Sequence, residues 1–356
     1  MKIVTIIGAR PQFIKASSLS REIAKYDSIE EVIVHTGQHF DKNMSEIFFE
    51  EMNIPKPKYN LEINSLSHGA MTGRMMEAIE EVLVNERPDW VVVYGDTNST
   101  IAGALTAKKM HIKVAHIEAG LRSFDMRMPE EINRILTDQI SDVLFCPTDV
   151  AIANLKNEGF DKKNIDIIEC GDIMYDSALF YKSLMHEPKN YDLPKEFVLA
   201  TIHRQENTDD EERLKKIIET LNELSNTGNP VVMPIHPRTR AIIEQNNLSI
   251  EFKVIDPVGY LEMVYLLENC KYVVTDSGGL QKEAYFFEKR CFTYRDSTEW
   301  TELLKMGVNT LLNFEDSNMV QTINKEMETS NTFVAGVYGT GNTSEMILRN
   351  LLASNH

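Results

Sequence analysis

Short, almost wholly apolar runs alternate with helical patterns along the whole chain, and this alternation restricts the folds that it can adopt. The first runs are Lys2–Ile7, Glu31–Thr36, Trp90–Tyr94 and Lys113–Ile117, and each is followed by a turn that contains glycine. Strands that are apolar on both faces are typical of a parallel sheet with helices on each side. The sequence therefore predicts an α/β fold whose ligands bind beyond the carboxyl ends of the strands.

The pattern restarts in the second half of the chain, after a segment rich in Pro, Asn, Asp and Lys (186–195). A length of 356 residues also exceeds what one typical hydrophobic core accommodates. We therefore expect two doubly wound Rossmann-like domains that face each other across a cleft. Smaller predictions are a helix over Met44–Met52, a loop over Pro55–Asn60 and a last amphipathic helix over Thr343–Leu352.

Net charge, hydropathy and cysteine spacing argue against several classes of protein. A formal net charge of -17 argues against nucleic-acid binding through bulk electrostatics. No run reaches the length of a membrane span, and the start goes straight into a strand pattern rather than a signal peptide. The four cysteines are scattered without CxxC spacing, which indicates reduced thiols in a cytoplasmic protein and no metal site: Cys146, Cys170, Cys270 and Cys291.

The stretch 271–284, KYVVTDSGGLQKEA, has the pattern of an anion site. A β-branched strand is followed by Asp276-Ser277, which can cap a helix, and by Gly278-Gly279, which allows a tight turn. The free N–H groups and the dipole of a helix N-terminus attract phosphate. An ordinary strand-to-helix turn would use the same small residues, so the stretch alone leaves both interpretations open.

Glu283 favours a nucleotide over a bare phosphate as the ligand of this stretch. A carboxylate beside an anion site repels the anion, but it can accept hydrogen bonds from ribose hydroxyls next to the phosphate. The chain has no GxxxxGK[ST] or GxGxxG motif and no cluster of metal ligands, so ATP, NAD and zinc lack support.

Other polar residues follow the predicted strands, and each has a structural alternative. Asp96 is either a functional acid or an N-cap. Glu118 favours function, because glutamate is a poor cap. For Glu130, spacing alone favours a helix-start role, with an ordinary surface ion pair to Arg134 four residues on. His203 beside Arg204 suits a departing diphosphate, although a lone histidine is more often structural. Arg10 suits either an anion or a loop salt bridge.

The motifs of both halves together resemble those of the non-hydrolysing UDP-N-acetylglucosamine 2-epimerases. The resemblance covers essentially the whole chain, in the motifs GARPQFIK (8–15), TGQHF (36–40), GDTNST (95–100), HIEAGLRS (116–123), MPEEINR (128–134), HR-x-EN (203–207), HPRTR (236–240) and DSGGLQKEA (276–284). It implies a fold like the glycosyltransferase B group and usually a homodimer. We accordingly expect an acid/base domain at 1–185, a UDP-binding domain at 186–340, and a C-terminal helix at 341–356 that packs on the first domain.

The resemblance implies inversion at C2 of a UDP-2-acetamido sugar through loss and return of UDP, with no cofactor and no metal. The family's acid/base carboxylates fall on Asp96, Glu118 and Glu130, which overturns the helix-start interpretation of Glu130, and its catalytic histidine falls on His203. Its phosphate-binding and ribose-binding residues and its opening loop fall on Ser277, Gly278, Gly279, Glu283, Arg10 and Lys15. To the UDP-binding set we add the polar residues beyond the strand ends of the second half: Arg204, His236, Arg295 and Glu299.

Departures from the commoner pattern indicate a branch of the family. The opening is GARPQF rather than GTRPE, and the Arg-Gln pair of an allosteric substrate site, whose Gln-His matches Gln38-His39, is not evident at 67–72. The segments GARPQFIKAS, MSEIFFE, SFDMRMPEE and VIDPVGYLEM resemble the branch that epimerises UDP-2,3-diacetamido-2,3-dideoxy-glucuronate for surface polysaccharides. Its uronate carboxylate suits a bidentate arginine, and Arg127 and Arg295 are our candidates.

Several alternatives stay open at this point. Plain UDP-N-acetylglucosamine 2-epimerase is the nearest, and a hydrolysing epimerase would release free sugar and UDP. A glycosyltransferase of the same architecture would share the phosphate site, with less need for three carboxylates in the facing domain. A nucleotide-sugar sensor is poorly motivated, because every catalytic position of the family is occupied.

Overall fold

The computed structural model describes residues 1–38, 49–50, 54–316, 318–329 and 332–354, with Arg10 described by its backbone alone. Most of the predicted helix Met44–Met52 lies outside these ranges. The chain divides into two compact units: Met1–Ser177 with Ala335–His356 form the first, and Ala178–Val334 form the second.

The first unit contains a wholly parallel sheet. In the described part of the chain its strands are β1 (Lys2–Ile7), β2 (Glu30–His35), β3 (Tyr59–Asn60), β4 (Trp90–Tyr94), β5 (Lys113–Ile117), β6 (Val143–Cys146) and β7 (Asp166–Glu169). Their order across the sheet is β3-β2-β1-β4-β5-β6-β7. The order reverses beside β1, so crossovers on the two sides of β1 run in opposite directions and leave a gap beyond the ends of β1 and β4.

Helices cover this sheet because its central strands are buried on both faces. They are α1 (Arg10–Ile23), α2 (His68–Glu86), α3 (Asn98–Lys109), α4 (Pro129–Ile140), α5 (Asp149–Asn157) and α6 (Ile173–Lys182). One core cluster joins alternate residues of β1 and β4, among them Val4, Ile6 and Val93, to Ile79 and Leu83 of α2. All five residues are at most 1% exposed, so hydrophobic burial holds the central strands in place.

The second unit repeats this plan at a smaller size. Its parallel strands are β8 (Val198–Thr201), β9 (Val231–Pro234), β10 (Lys253–Ile255), β11 (Tyr272–Thr275), β12 (Cys291–Thr293) and β13 (Asn309–Leu311), in the order β10-β9-β8-β11-β12-β13. Its helices are α7 (Gln205–Thr208), α8 (Glu211–Asn226), α9 (Pro237–Gln245), α10 (Tyr260–Asn269), α11 (Gly278–Phe286), α12 (Thr301–Lys305) and α13 (Met319–Glu328). The order again reverses, here between β8 and β11.

The chain returns to the first unit for its last helix, α14 (Thr343–Ala353). Asp176 caps this helix: Oδ1 accepts the Thr343 N–H at 3.1 Å, and Oδ2 accepts the Ser344 N–H and hydroxyl, both at 2.8 Å. A Cβ at Gly171 would lie 2.9 Å from the Cα of Gly339, so the returning chain passes too close to tolerate a side chain there. Capping and close approach thus fix α14 on this unit.

The predicted class, two Rossmann-like α/β units with parallel sheets, is confirmed. The loop predicted over Pro55–Asn60 is wrong at its end, because Tyr59–Asn60 pairs with Val34–His35 as β3. Strands β7 and β13 were not predicted. None of the described helices is long and apolar enough to cross a membrane. All four cysteines are buried and unpaired.

Candidate active site

Both sheets place the predicted site residues where their strand order reverses. In the first unit, Gly8 follows β1 and Asp96 follows β4, while Glu118 follows the adjacent β5. In the second unit, His203 follows β8 and Asp276 leads out of β11. In doubly wound sheets this crevice beyond the carboxyl ends is where ligands bind. Each unit therefore has its own candidate site.

Asp96 is not the helix cap that was one of its two interpretations. Thr97 caps α3, since its hydroxyl accepts the Thr100 N–H at 3.3 Å. Asp96 instead receives the guanidinium of Arg134, with 2.6 Å between Nη2 and Oδ2. Arg134 comes from α4, so the acid is held by a residue 38 positions along the chain. The side chain of Asp96 is 34% exposed and is thus accessible to a ligand.

Burial raises the pKa of Asp96 above its usual value, because the surrounding chain removes much of the water that would solvate the carboxylate. The cations of Arg134 and Lys15 oppose this rise, and the negative charges of Glu118 and Glu130 add to it. The charges of all three predicted carboxylates are therefore coupled at Asp96. A carboxyl group whose pKa is raised by burial is a common feature of sites that transfer protons.

Glu118 is held in an unusual backbone conformation. Its φ is 72°, in the left-handed region that residues other than glycine seldom adopt. The backbone N–H of Glu118 donates to the carbonyl of Phe145 at 3.1 Å, and that of Ala119 donates to the same oxygen at 3.0 Å. Strain of this kind persists where the surroundings fix the residue, and it concentrates at functional sites.

The carboxylate of Glu118 forms an ion pair with Lys15 Nζ from α1. The side chains are only 12% and 9% exposed, so the pair is largely shielded from water. A Cβ at Gly95 would lie 3.2 Å from Glu118 Oε2 and 3.4 Å from Lys15 Nζ. The ion pair therefore rests directly against the residue that precedes Asp96.

The two acids at the start of α4 have different surroundings. Glu131 is buried, and its carboxylate accepts the N–H groups of Ser123 and Phe124 at 2.9 and 3.0 Å. Glu130 is exposed. The ion pair predicted between Glu130 and Arg134 is wrong: Arg134 points to Asp96 and to Glu131, and only the backbone carbonyl of Glu130 accepts from it, at 3.3 Å. Glu131 thus braces the loop before α4 and leaves Glu130 accessible.

A buried histidine, His116, connects the loops that carry Asp96 and Glu118, and no pattern in the sequence pointed to it. His116 Nε2 lies 2.7 Å from the carbonyl oxygen of Gly95, and Nδ1 lies 2.7 Å from Asp138 Oδ1. Asp138 also receives Arg122 at 2.7 Å and the Gly120 N–H at 3.2 Å. A carbonyl only accepts, so Nε2 of His116 carries a hydrogen. This network fixes the backbone on both sides of the acids.

Gln12, from the unusual GARPQF opening, holds the loop after β1 in place through hydrogen bonds. Its Oε1 accepts the N–H groups of Gly8 and Ala9 at 2.8 and 3.0 Å, and its Nε2 donates to the carbonyl of Tyr94 at 2.7 Å. The loop after β1 is therefore tied to the loop after β4. Arg10 begins α1, and its side chain, like all of His39, lies outside the part that the structure describes.

In the second unit, a fully buried carboxylate organises the start of the site. Asp276 accepts the backbone N–H groups of His203 and Arg204 at 3.1 and 2.9 Å and the side-chain amide of Asn207 at 3.2 Å. Its Oδ1 also lies 3.2 Å from Nδ1 of His203. The side chain of His203 is nevertheless 52% exposed, so its outer edge is open to a ligand.

The predicted phosphate site has the expected local geometry. Ser277 caps α11, because its hydroxyl accepts the Leu280 N–H at 3.4 Å. A Cβ at Gly278 would lie 2.6 Å from Oε1 of Glu299, whose Oε2 is held by Arg295 Nη1 at 2.9 Å, whereas a Cβ at Gly279 would meet nothing within 4 Å. Arg295 and Glu299, both in the predicted UDP-binding set, therefore lie at the start of this helix.

The described contacts of the other predicted residues connect them less directly with the start of α11. His236 is exposed and caps α9, with Nδ1 accepting the Arg238 N–H at 3.2 Å. Arg204 lies 3.7 Å from Glu206. Glu283 is half-buried on α11. Among the described residues, no His, Cys, Asp and Glu side chains gather as a group that could hold a metal ion.

Known proteins resemble this chain along almost its whole length. A family model described as UDP-N-acetylglucosamine 2-epimerase matches residues 21–352. The UDP-2,3-diacetamido-2,3-dideoxy-D-glucuronate 2-epimerase of Pseudomonas aeruginosa is 57% identical over 347 residues, covering 98% of each chain. The UDP-GlcNAc 2-epimerase of Methanocaldococcus jannaschii, crystallised with UDP-GlcNAc and UDP, matches with a TM-score of 0.88 at 41% identity, covering 99% of this chain and all of that one. The Neisseria meningitidis enzyme bound to UDP-GlcNAc matches with a TM-score of 0.87 at 30% identity, with the same coverage.

Proposed function

We propose, from the premise that this chain belongs to the UDP-N-acetylglucosamine 2-epimerase family, that it epimerises UDP-2,3-diacetamido-2,3-dideoxy-glucuronate at C2. The family predicted from the motifs is confirmed, and with it the isomerase class. The observation that carries the choice of sugar is the 57% identity to the Pseudomonas aeruginosa enzyme of that name. We further propose that the product serves surface polysaccharide synthesis in the cytoplasm, an assignment that the unpaired cysteines support.

The proposed reaction divides between the residues of the two units. A carboxylate of the first unit removes the C2 proton while the C1–O bond breaks. The electron pair of the C1–O bond leaves with UDP. A C1–C2 double bond forms, which gives a 2-acetamidoglycal. UDP then adds back to C1 as a second acid delivers a proton to the opposite face of C2. Asp96, Glu118 and Glu130 supply the proton-transferring groups.

Stabilisation of the departing UDP is proposed for the second unit. The start of α11 offers the N–H groups of Gly278 and Gly279 to the diphosphate, and Glu283 binds the ribose. In this proposal His203 donates a hydrogen bond to the leaving phosphate oxygen, a role that the exposure of its ring supports. Lys15 and Arg10 on α1 and Arg204 and His236 of the second unit add positive charge or donors. No cofactor takes part in this scheme.

The uronate carboxylate of the substrate needs a partner, and the two proposed arginines differ in their surroundings. Arg127 is 91% exposed and already holds Asp125 with two hydrogen bonds, at 2.8 and 2.7 Å. That bidentate arrangement is the one a substrate carboxylate would copy. Arg295 is only 8% exposed and is bonded to Glu299. We therefore favour Arg127 over Arg295.

Plain UDP-N-acetylglucosamine is the second candidate substrate, because the two solved structures described above are UDP-GlcNAc 2-epimerases. The experiment that separates the candidates offers each UDP-sugar alone and measures kcat/KM by NMR of the C2 epimers. We expect strong preference for the diacetamido uronate, and a loss of that preference in Arg127→Gln but not in Arg74→Gln, an exposed arginine on α2. Equal turnover of both sugars would contradict the proposed specificity. Release of free UDP in step with turnover would instead indicate a hydrolysing enzyme.

A homodimer is also proposed, and exposed apolar side chains support it. Ile132 and Leu136, four residues apart on α4, are 40% and 48% exposed, and Phe124 and Met126 in the preceding loop are 78% and 59% exposed. Apolar surface of this kind suits a second copy of the chain. Light scattering should give twice the chain mass of 40.7 kDa, and Leu136→Glu should shift it toward the monomer.

A further inference from the structure

We infer that Asp276 is a positioning residue that fixes the proton of His203 on Nδ1 and so aims Nε2 at the leaving group. The inference deepens the proposed function, since it concerns how His203 acts on UDP. The side chain of Asp276 is 0% exposed, whereas the side chain of His203 is 52% exposed. One end of the imidazole therefore faces a buried carboxylate, and the ring remains open to solvent elsewhere.

The hydrogen-bond partners of Asp276 determine its chemistry. Its two oxygens accept from the backbone N–H groups of His203 and Arg204 and from the amide of Asn207, at 2.9 to 3.2 Å. All three partners are donors, so the carboxyl group is used only as an acceptor. Nδ1 of His203, 3.2 Å from Oδ1, must then donate if it is to bond this oxygen.

This contact is an ion-pair distance, and a hydrogen on Nδ1 directed at Oδ1 would set both the tautomer and the orientation of the ring. With the hydrogen on Nδ1, a neutral ring presents a lone pair at Nε2, and a second proton taken up there gives a donor toward a phosphate oxygen. Asp276 thus positions the ring so that Nε2 can donate a hydrogen bond to departing UDP, and Asp276 itself does not touch the substrate.

The pairing of two strands brings Asp276 and His203 together. Asp276 follows β11 and His203 follows β8, and these two strands pair in parallel, with Thr275 opposite Thr201. Asp276 also directly precedes Ser277, the cap of α11. One carboxylate therefore links His203, the proposed hydrogen-bond donor to the leaving group, to the start of the proposed phosphate site.

The test is a double-mutant cycle with Asp276→Asn and His203→Ala, read as the rate of C2 hydrogen exchange on the UDP-sugar. An asparagine keeps the size of the side chain but can offer an N–H to Nδ1, which favours the wrong tautomer. We expect Asp276→Asn to lower kcat by roughly 10- to 100-fold in the wild-type background, with the Kd for UDP nearly unchanged, and to cause no further loss in the His203→Ala background. Thr239→Val, which removes one buried hydrogen bond to the carbonyl of Ile202, is the structural control and should leave kcat within about twofold.

The same fold-loss from Asp276→Asn in both backgrounds would overturn the inference, because a purely structural role does not need His203. No loss in the wild-type background, or no effect of His203→Ala, would overturn it as well. Because the asparagine variant could fail to fold, the unaltered protein provides an independent measurement. Two-bond ¹⁵N–¹H NMR, with the His203 signals assigned by their loss in His203→Ala, should place the hydrogen of the neutral ring on Nδ1.

A hydrogen on Nε2 in that spectrum would contradict the inference regardless of activity. Failure of the proposed function has a different signature. In that case the wild-type protein would exchange C2 hydrogen with neither UDP-sugar, while the NMR measurement would still determine the tautomer of His203.

Discussion

Lys15 and Glu118, which are 103 residues apart in the chain, form a shielded ion pair against Gly95, the residue that precedes Asp96. The pair joins α1 to the residue that follows β5 and places the carboxylate of Glu118 against the residue that precedes Asp96. Burial raises the pKa of Asp96, and the negative charge of Glu118 adds to that rise. This relationship is the structural basis for the predictions on the first unit.

Replacing Glu118 by glutamine should abolish catalysis without affecting UDP binding. The amide keeps the shape of the side chain but can neither accept a proton nor pair with Lys15. We expect kcat for C2 hydrogen exchange to fall by at least about 100-fold. The Kd for UDP, measured by calorimetry, should stay within about twofold, because the second unit supplies most of the proposed contacts to UDP and Lys15 keeps its charge in this variant. Glu81→Gln, an exposed acid on α2, is the control. Exchange at the wild-type rate in Glu118→Gln would remove this residue from the mechanism.

The pH profile should respond to Arg134. Burial raises the pKa of Asp96, and the cation of Arg134 lowers it. Removal of that cation in Arg134→Gln therefore raises the pKa of Asp96 further. The acidic limb of log(kcat/KM) against pH, where a carboxylate base becomes protonated, should move to higher pH. Arg74→Gln, a distant exposed arginine, should not move it. A shift to lower pH, or none, would show that Asp96 does not control that limb.

Asp138 should matter for stability as well as for rate. Its carboxylate faces the buried Arg122 and His116, and Asp138→Asn leaves the guanidinium without this negative partner. Breaking a buried ion pair costs about 3–5 kcal/mol in the free energy of unfolding. We expect a loss toward the lower end of this range, because Glu158 also pairs with Arg122. We expect urea unfolding of the first unit to shift to lower urea, and kcat to fall in the remaining folded protein. The exposed Asp161→Asn is the control, and an equal effect there would contradict the account.

The last helix should depend on Asp176. The N-cap position of α14, Asn342, makes no side-chain capping bond, and Asp176 instead accepts the first N–H groups. Asp176→Ala removes this cap, and the expected loss in the free energy of unfolding is about 1–2 kcal/mol. Hydrogen exchange of the α14 amides should accelerate, while kcat stays unchanged. Glu345→Ala, which removes a half-buried acid in the first turn of the same helix that pairs with Arg349, separates the cap from a general effect of charge. Equal protection in both variants would contradict the assignment.

Much of the fold could be predicted from the sequence, because the central strands are buried on both faces and are therefore apolar throughout. The missed strands lack that signal. In β7, Asp166 and Glu169 are exposed, and the strand lies at the edge of its sheet. Likewise β3 has only two residues, and β13 has three. Edge strands of this length leave too few apolar positions to form a pattern.

The candidate site was predicted only in part. Strand ends and motif resemblance indicated Asp96, Glu118 and His203, but not the residues that hold them. His116 and Asp138 meet across 22 positions of the chain, and Asp276 meets His203 across 73. The first contact arises from the packing of α4 on β5 and the second from the pairing of β8 with β11, and spacing along one segment encodes neither. Likewise, Glu130 and Glu131 are adjacent in sequence, and only packing shows that Glu131 is the buried brace.

The most direct measurement of the central claim is NMR of UDP-2,3-diacetamido-2,3-dideoxy-glucuronate incubated with the protein in deuterated water, with no acceptor present. The account predicts that the manno epimer appears, that deuterium enters C2 of both epimers, and that Asp96→Asn abolishes both changes with UDP binding kept. An epimer that forms with C2 still carrying hydrogen, or an Asp96→Asn variant that exchanges at the wild-type rate, would contradict it.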